Sequence, residues 1–199
     1  MLLKIYYLIS TLLIPFYSIY INRRINQKKE DPHRYKERYG KPGADRKNGD
    51  LIWIHAASVG ECLSALPIIA ELEKNIKIEQ ILITSGTTSS ALIIKDKLSS
   101  KSIHQYVPLD VPLFNDRFLK FWNPKCAIFI ESEIWPNLIY QIKKRKIMLA
   151  VINGRMTLKS YNKWLRFKKT SELIFNNYDL CLTQNKESTL FYKQLGINQ

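Results

Sequence analysis

From residue 51 onward, apolar runs of four to seven residues alternate with longer stretches of helical period, and this alternation constrains the fold more than any other feature of the chain. Leu51 to Ala57 reads as a buried strand, followed by the turn Ser58-Val59-Gly60 and a helix from Glu61 to about Lys74. Glu79 to Thr84 gives a second strand, after which Ser85-Gly86-Thr87 opens a helix to about Leu98. His104 to Leu109 is a third, weaker strand, with a helix over Leu113 to Phe121. Cys126 to Ile130 is a strongly apolar fourth strand, and Trp135 to about Lys144 a helix with Pro136 in its first turn. Ile147 to Ile152 and Leu180 to Thr183 complete the strands. Strands and helices alternating in this way predict an α/β fold, a Rossmann-like parallel sheet with helices on both faces. In such sheets the chemistry sits at the carboxyl ends of the strands.

The N-terminus is different in kind. Ile5 to Ile21 carries no charged residue, has tyrosines towards both ends, and is followed at once by Arg23, Arg24, Lys28 and Lys29. The run is close to the minimum for a membrane span, and the basic flank predicts the remainder of the chain on the cytoplasmic side. A cleaved leader fits poorly, because no small-x-small site follows and the charge lies on the wrong side. Pro15 and the short length leave open a helix that lies on the membrane surface instead of crossing it. Residues 1–21 are therefore expected to be an anchor and residues 22–50, polar and punctuated by Pro32, Gly40, Pro42, Gly43 and Gly49, a basic connector with a short helix around Arg34 to Tyr39. Residues 51–199 form the expected globular domain.

Charge narrows the partners. Thirty-one Lys and Arg against 17 Asp and Glu give a net charge of +14, which implies an anionic partner. No acid occurs between Glu133 and Glu172, while ten basic residues run from Lys143 to Lys169, the later ones interleaved with Tyr161, Trp164 and Phe167. Basic and aromatic residues together suit anionic headgroups or acceptor phosphates better than nucleic acid, given the apolar N-terminus. A solvated helix face is the plainer alternative. Cys62, Cys126 and Cys181 are widely spaced within apolar runs, so neither a zinc site nor a disulfide framework is indicated.

The strand ends supply the candidate site residues. Ser58 and Gly60 make a small-residue turn that lets a ligand approach the backbone, and Glu61 starts a helix at its mouth. A carboxylate in a first helical turn also simply complements the macrodipole. Glu131 and Glu133 follow the most apolar strand, where desolvation drives a carboxylate to find partners or to shift its pKa. Ser132 and Glu133 have a capping alternative, which suits Glu131 badly. Asn153 and Arg155 flank a Gly turn after the fifth strand, a place for an anion clamp. Thr87 offers a hydroxyl at a helix N-terminus, where a cap is the simplest role.

Taken in order, Arg38-Tyr39-Gly40, His55 to Glu61, Thr84 to Ala91, Pro108-x-Asp110, Glu131 to Leu138 and Asn153 to Ser160 resemble the N-terminal domain of 3-deoxy-D-manno-octulosonic acid (Kdo) transferases, which have the two-domain GT-B glycosyltransferase fold. The S-V-G-E and E-x-E-x-W-P-N pieces at this spacing are the specific part. The resemblance implies transfer of Kdo from CMP-Kdo to a lipid A precursor at the bacterial inner membrane, with inversion and with no metal or other cofactor. It further implies Glu61 as general base and Glu131 as stabiliser of an oxocarbenium-like transition state. The helix N-terminus at Glu61 weakens such a base unless closure of the site desolvates it.

Family members continue into a second, donor-binding domain, which this sequence lacks; the chain ends at Leu195-Gly196-Ile197-Asn198-Gln199, about where the crossing is expected. A second chain carrying that domain is the expected partner of a split enzyme. A membrane-anchored binder of lipid A precursors and an inactive remnant are the alternatives.

Overall fold

A computed structural model describes residues 2–131 and 133–197, so the reading of Ser132 as a cap and the last two residues of the expected domain lie outside the described residues. The six strands are β1 (Asp50–His55), β2 (Ile78–Ser85), β3 (Ser102–Tyr106), β4 (Cys126–Ile130), β5 (Met148–Gly154) and β6 (Leu180–Thr183). They form one sheet in the order β3-β2-β1-β4-β5-β6, every neighbouring pair parallel. The nine helices among the described residues are α1 (Leu2–Leu12), α2 (Tyr17–Asn26), α3 (Val59–Glu73), α4 (Thr88–Lys95), α5 (Pro112–Trp122), α6 (Pro136–Lys144), α7 (Leu158–Leu165), α8 (Lys168–Phe175) and α9 (Lys186–Leu195).

Alternation along the strands sends successive side chains to opposite faces. Leu51, Trp53, Leu82, Phe129, Leu149 and Val151 join a core closed by residues of α5, α6, α8 and α9. Ile54, Ile83, Ile128, Ile130 and Ala150 face the other way, onto Cys62, Ala65 and Ile69 of α3 and Ile94 of α4. The sheet is thus covered on both faces, as the near-continuous apolar runs required. All three cysteines are buried thiols, none of them in a disulfide.

The third strand is shorter at its C-terminal end than expected. The apolar pattern predicts a strand over His104–Leu109, but pairing with β2 ends at Ser85–Tyr106, and the Leu109 N–H beyond it bonds to the Arg38 carbonyl at 2.9 Å. Arg38 explains why residues 22–50 are more than a linker. Its guanidinium is buried, paired with Glu30 at 3.0 Å, and donates to the carbonyls of Gly86 at 2.7 Å and Val107 at 3.1 Å. Glu37, also buried, takes a two-pronged contact from Arg34 at 2.8 and 3.0 Å and accepts from the Tyr106 N–H at 2.7 Å. The expected short helix is present as a 3-10 turn, Tyr35–Tyr39, ended by Gly40 at φ +71°. A Cβ on Gly40 would sit 2.0 Å from the Phe114 carbonyl oxygen, so both the backbone angle and the close approach require glycine.

The apolar N-terminal run does not form one helix. A 3-10 turn at Ile14–Phe16, with Pro15 inside it, separates α1 from α2, and the two are bent by 49°. No single helix among the described residues is long and apolar enough to cross a membrane, although the bent pair together has the length and composition of a broken span. Helix α1 is tied to the domain by polar contacts: Tyr6 donates to Asp110 at 3.0 Å, and Asn137 Nδ2 donates to Ser10 at 3.1 Å. Its other faces, with Leu8, Ile9 and Leu12, remain exposed, as do Phe16 and Ile19 beyond the bend.

Candidate functional site at the strand switch point

In the order β3-β2-β1-β4-β5-β6 the chain leaves β1 towards one edge and returns on its other side at β4. The two crossovers diverge there, opening a crevice at the carboxyl ends of β1 and β4. Glu61 follows β1 and Glu131 follows β4, so the topology alone brings the two predicted carboxylates to the same crevice.

Glu61 is the third residue of α3, and its side chain is 8% exposed. Ser58 caps the helix: its Oγ accepts from the Glu61 N–H at 3.3 Å and donates to Glu61 Oε1 at 2.8 Å. Glu61 Oε2 accepts from the Ala57 N–H at 2.8 Å. This is a variant of the capping box, with the carboxylate reaching back one residue further than usual. The capping reading of Glu61 is therefore true as far as it goes. Each oxygen still keeps a second lone pair, and the carboxylate is held in one orientation. Among the described residues nothing lies within 4 Å of where a Cβ on Gly60 would be.

Glu131 has φ +63° and Asn153 φ +58°, both in the left-handed region. They directly follow the paired residues Ile130 and Ile152 of β4 and β5. The Glu131 N–H is bonded to the Ile152 carbonyl at 2.9 Å, and Asn153 falls where the β5–β6 register shifts. Asn tolerates this conformation; a glutamate there stores strain of roughly 1–3 kcal/mol, a cost concentrated at functional sites. Glu133 is partly buried, and its pKa is raised by burial first, then by the charge of Glu61, with a smaller contribution from Glu131; the Trp135 indole opposes these. The three carboxylates therefore share one electrostatic environment.

Thr87 is the N-cap of α4, accepting from the Ser90 N–H at 3.1 Å, so its structure supports the capping role. Arg155 is exposed on the segment after β5. Among the described residues no group of three His, Cys, Asp or Glu is arranged to hold a metal ion.

Under the crevice lies a feature that the strand pattern alone did not single out. His55 is fully buried between Phe129 and Trp135, its Nδ1 2.9 Å from the Thr84 hydroxyl, which also accepts from the Trp53 indole at 2.8 Å. His55 Nε2 has no hydrogen-bond partner among the described residues, and burial pushes the imidazole pKa down to about 4. The floor of the site is thus kept neutral.

A parallel, doubly wound sheet with helices on both faces defines a Rossmann-like α/β domain. Residues 33–199 match the family model for 3-deoxy-D-manno-octulosonic-acid transferase (kdotransferase), and the chain belongs to that family as its N-terminal domain. It is 38% identical to the 3-deoxy-D-manno-octulosonic acid transferase of Rickettsia bellii over 197 residues, 99% of this chain and 47% of that protein. A probable mitochondrial 3-deoxy-D-manno-octulosonic acid transferase of Arabidopsis thaliana is 40% identical over 150 residues, 75% of this chain and 34% of that protein. The Haemophilus influenzae enzyme of the same name is 34% identical over 164 residues, 82% of this chain and 38% of that protein. The chain spans about half the length or less of these curated relatives.

Proposed function

We propose that this chain is the acceptor-binding half of a glycosyltransferase of lipopolysaccharide biosynthesis, transferring Kdo from CMP-Kdo to a lipid A precursor. The observation that carries the reading is the oriented Glu61 carboxylate at the switch-point crevice, across from Glu131 and Glu133. In the proposed step, Glu61 takes the proton of the acceptor hydroxyl as its oxygen bonds to the anomeric carbon of Kdo. The bond from that carbon to the CMP phosphate breaks, and CMP leaves with the electron pair, inverting the centre. Positive charge develops on the sugar as the leaving bond stretches, and the Glu131 carboxylate stabilises it. CMP is a good leaving group without further activation, so the step calls for no metal. In this account Ser58 and Gly60 shape the turn that admits the acceptor, Glu133 and Asn153 line the far side, and Arg155 with the basic run after β5 meets acceptor phosphates. Lys159, Lys163 and Arg166 line one shallow groove there with Leu158 and Asn162.

The membrane is reached through α1 and α2. Their bend and the ties from Tyr6 and Ser10 to the domain favour a helix pair lying in the cytoplasmic interface of the inner membrane over one that crosses it. An apolar groove of about 350 Å³ runs between this pair and the site, lined by Tyr6, Leu13, Phe16, Tyr17, Leu109 and Trp135 among others. It gives an acylated acceptor a path from lipid to crevice. The rest of the donor site is supplied by the part of the enzyme that the relatives extend into. The function is tested by grafting this chain in place of the matching part of the R. bellii protein and supplying labelled CMP-Kdo and a lipid A precursor. Label in the lipid fraction is expected; a well-folded graft that binds both substrates yet transfers nothing contradicts the reading.

A further inference from the structure

Asp110 closes the Pro108-x-Asp110 piece of the sequence, and nothing in the transfer chemistry uses it. Its carboxylate is buried, yet it accepts four hydrogen bonds that converge from three parts of the chain. Oδ1 accepts from the Leu138 N–H at 2.9 Å and from Asn115 Nδ2 at 2.8 Å. Oδ2 accepts from the Asn137 N–H at 3.1 Å and from the Tyr6 hydroxyl at 3.0 Å. The side chain of Asn137 closes the circuit, donating to the Asp110 carbonyl at 2.8 Å and to Ser10 Oγ at 3.1 Å.

Two consequences follow from these contacts. Helix α6 has no side-chain cap of its own, since Trp135 occupies the N-cap position. Asp110 takes over that duty from a distant strand end, satisfying two of the N–H groups that a helix start leaves open. It thereby fixes where Pro136 begins the helix, and so fixes the end of the segment that carries Glu131 and Glu133. At the same time Tyr6 and Ser10, one turn apart on α1, present the same helix face to Asp110 and Asn137, while Leu8, Ile9 and Leu12 stay exposed. One carboxylate therefore connects the helix with the apolar outer surface to the helix that starts at the site.

We propose that Asp110 is a positioning residue that couples seating of the N-terminal helix pair on a lipid surface to the placement of the α6 start and of Glu133 and Trp135 just before it. The inference rests on the membrane part of the functional reading above. Lipid immobilises α1; Tyr6 on α1 holds the Asp110 carboxylate on which the first N–H groups of α6 close, and Ser10 holds the Asn137 side chain at the same helix start. An enzyme built this way orders its carboxylate segment when it is on the membrane where its acceptor lies.

The test reads the Asn137 and Leu138 amides directly and needs no turnover. Amide hydrogen exchange is followed with and without vesicles of phosphatidylethanolamine and phosphatidylglycerol, with vesicle binding measured separately by co-sedimentation. In the wild type, vesicles should slow exchange at Asn137 and Leu138 by up to about tenfold, the scale of one hydrogen bond's net contribution to local closing. Tyr6→Phe should bind the same vesicles and lose most of that slowing, and Ser10→Ala, a milder change, should lose part of it. A role in stability alone would change protection equally with and without lipid. Bound vesicles with no slowing in the wild type, or with equal slowing in Tyr6→Phe, would overturn the coupling. Absence of vesicle binding would overturn the membrane reading and the coupling with it.

Discussion

Mild acid should destabilise this domain through two histidines that the fold keeps neutral. His55 is fully buried, its Nε2 without a partner among the described residues, and burial lowers its pKa from 6.5 to about 4. His104 is held between Ser85 and Arg34, with Nε2 2.8 Å from Ser85 Oγ and Nδ1 3.1 Å from an Arg34 nitrogen. A guanidinium can only donate, so Nδ1 must be the bare, accepting nitrogen. Burial first, then repulsion by Arg34 and Arg38, brings the His104 pKa down to about 3. Above pH 6.5 both states of the chain are neutral at these positions, and the stability is complete. As the pH falls below 6.5 the unfolded chain takes up protons that the folded chain refuses, so stability is lost down to the folded values. At about 1.4 kcal/mol per pH unit for each group, the pair removes roughly 3 kcal/mol between pH 7.5 and 5.5. Asp110 and Glu133, both raised chiefly by burial, act in the opposite sense as they gain protons. The His104→Gln variant isolates the effect from theirs, because it should lose only about half as much over the same interval. Urea unfolding in a mild non-ionic detergent at the two pH values measures both. Equal losses in the wild type and His104→Gln would refute the assignment of a buried neutral imidazole at this position.

Two further outcomes are expected. Arg38→Met removes the main partner of buried Glu30 and the donor to two carbonyls, and should lower stability by roughly 3–5 kcal/mol, read as a fall in the unfolding midpoint; a loss near zero would mean that Arg24, also 3.2 Å from Glu30, suffices. In the grafted enzyme, Lys159→Ala combined with Lys163→Ala should raise KM for the phosphorylated acceptor by about tenfold, more at low salt, with little change in kcat. An unchanged KM would show that this groove does not meet the acceptor.

The sheet was legible in the sequence because its strands are parallel and buried on both faces, so they read as uninterrupted apolar runs such as Cys126–Ile130 between polar turns. The crevice was legible for the same reason: strand ends mark it, and Glu61 and Glu131 stand at two of them. Contacts between distant, locally unremarkable residues were not. Tyr6 and Asp110 meet across 104 positions, and nothing near Tyr6 distinguishes a docked helix from a membrane span. Pro15 counted in the sequence only against a straight span, and neither the bend at Ile14–Phe16 nor the seating of the first half against α5 and α6 could be read from it. Residues 22–50 read as a connector because their composition is polar, yet Glu30, Glu37 and Arg38 are buried by pairing with one another or with backbone far away. Charge composition reports solvation on average and is silent about pairing. The left-handed Glu131 is likewise invisible beforehand, since no residue preference points to it.

The role of Glu61 as base is tested by the rate of Kdo transfer by the grafted enzyme with Glu61 intact and with Glu61→Gln. The glutamine keeps the size of the side chain and one oxygen for the Ala57 N–H or the Ser58 hydroxyl, so the loss of capping should cost no more than about 1 kcal/mol. Circular dichroism and acceptor binding confirm that the variant is folded and occupied. The account predicts that kcat falls by about 10²–10⁴ while acceptor binding is retained. Turnover within a few-fold of the unmodified enzyme would mean that Glu61 only caps its helix, and that the proton leaves by another route.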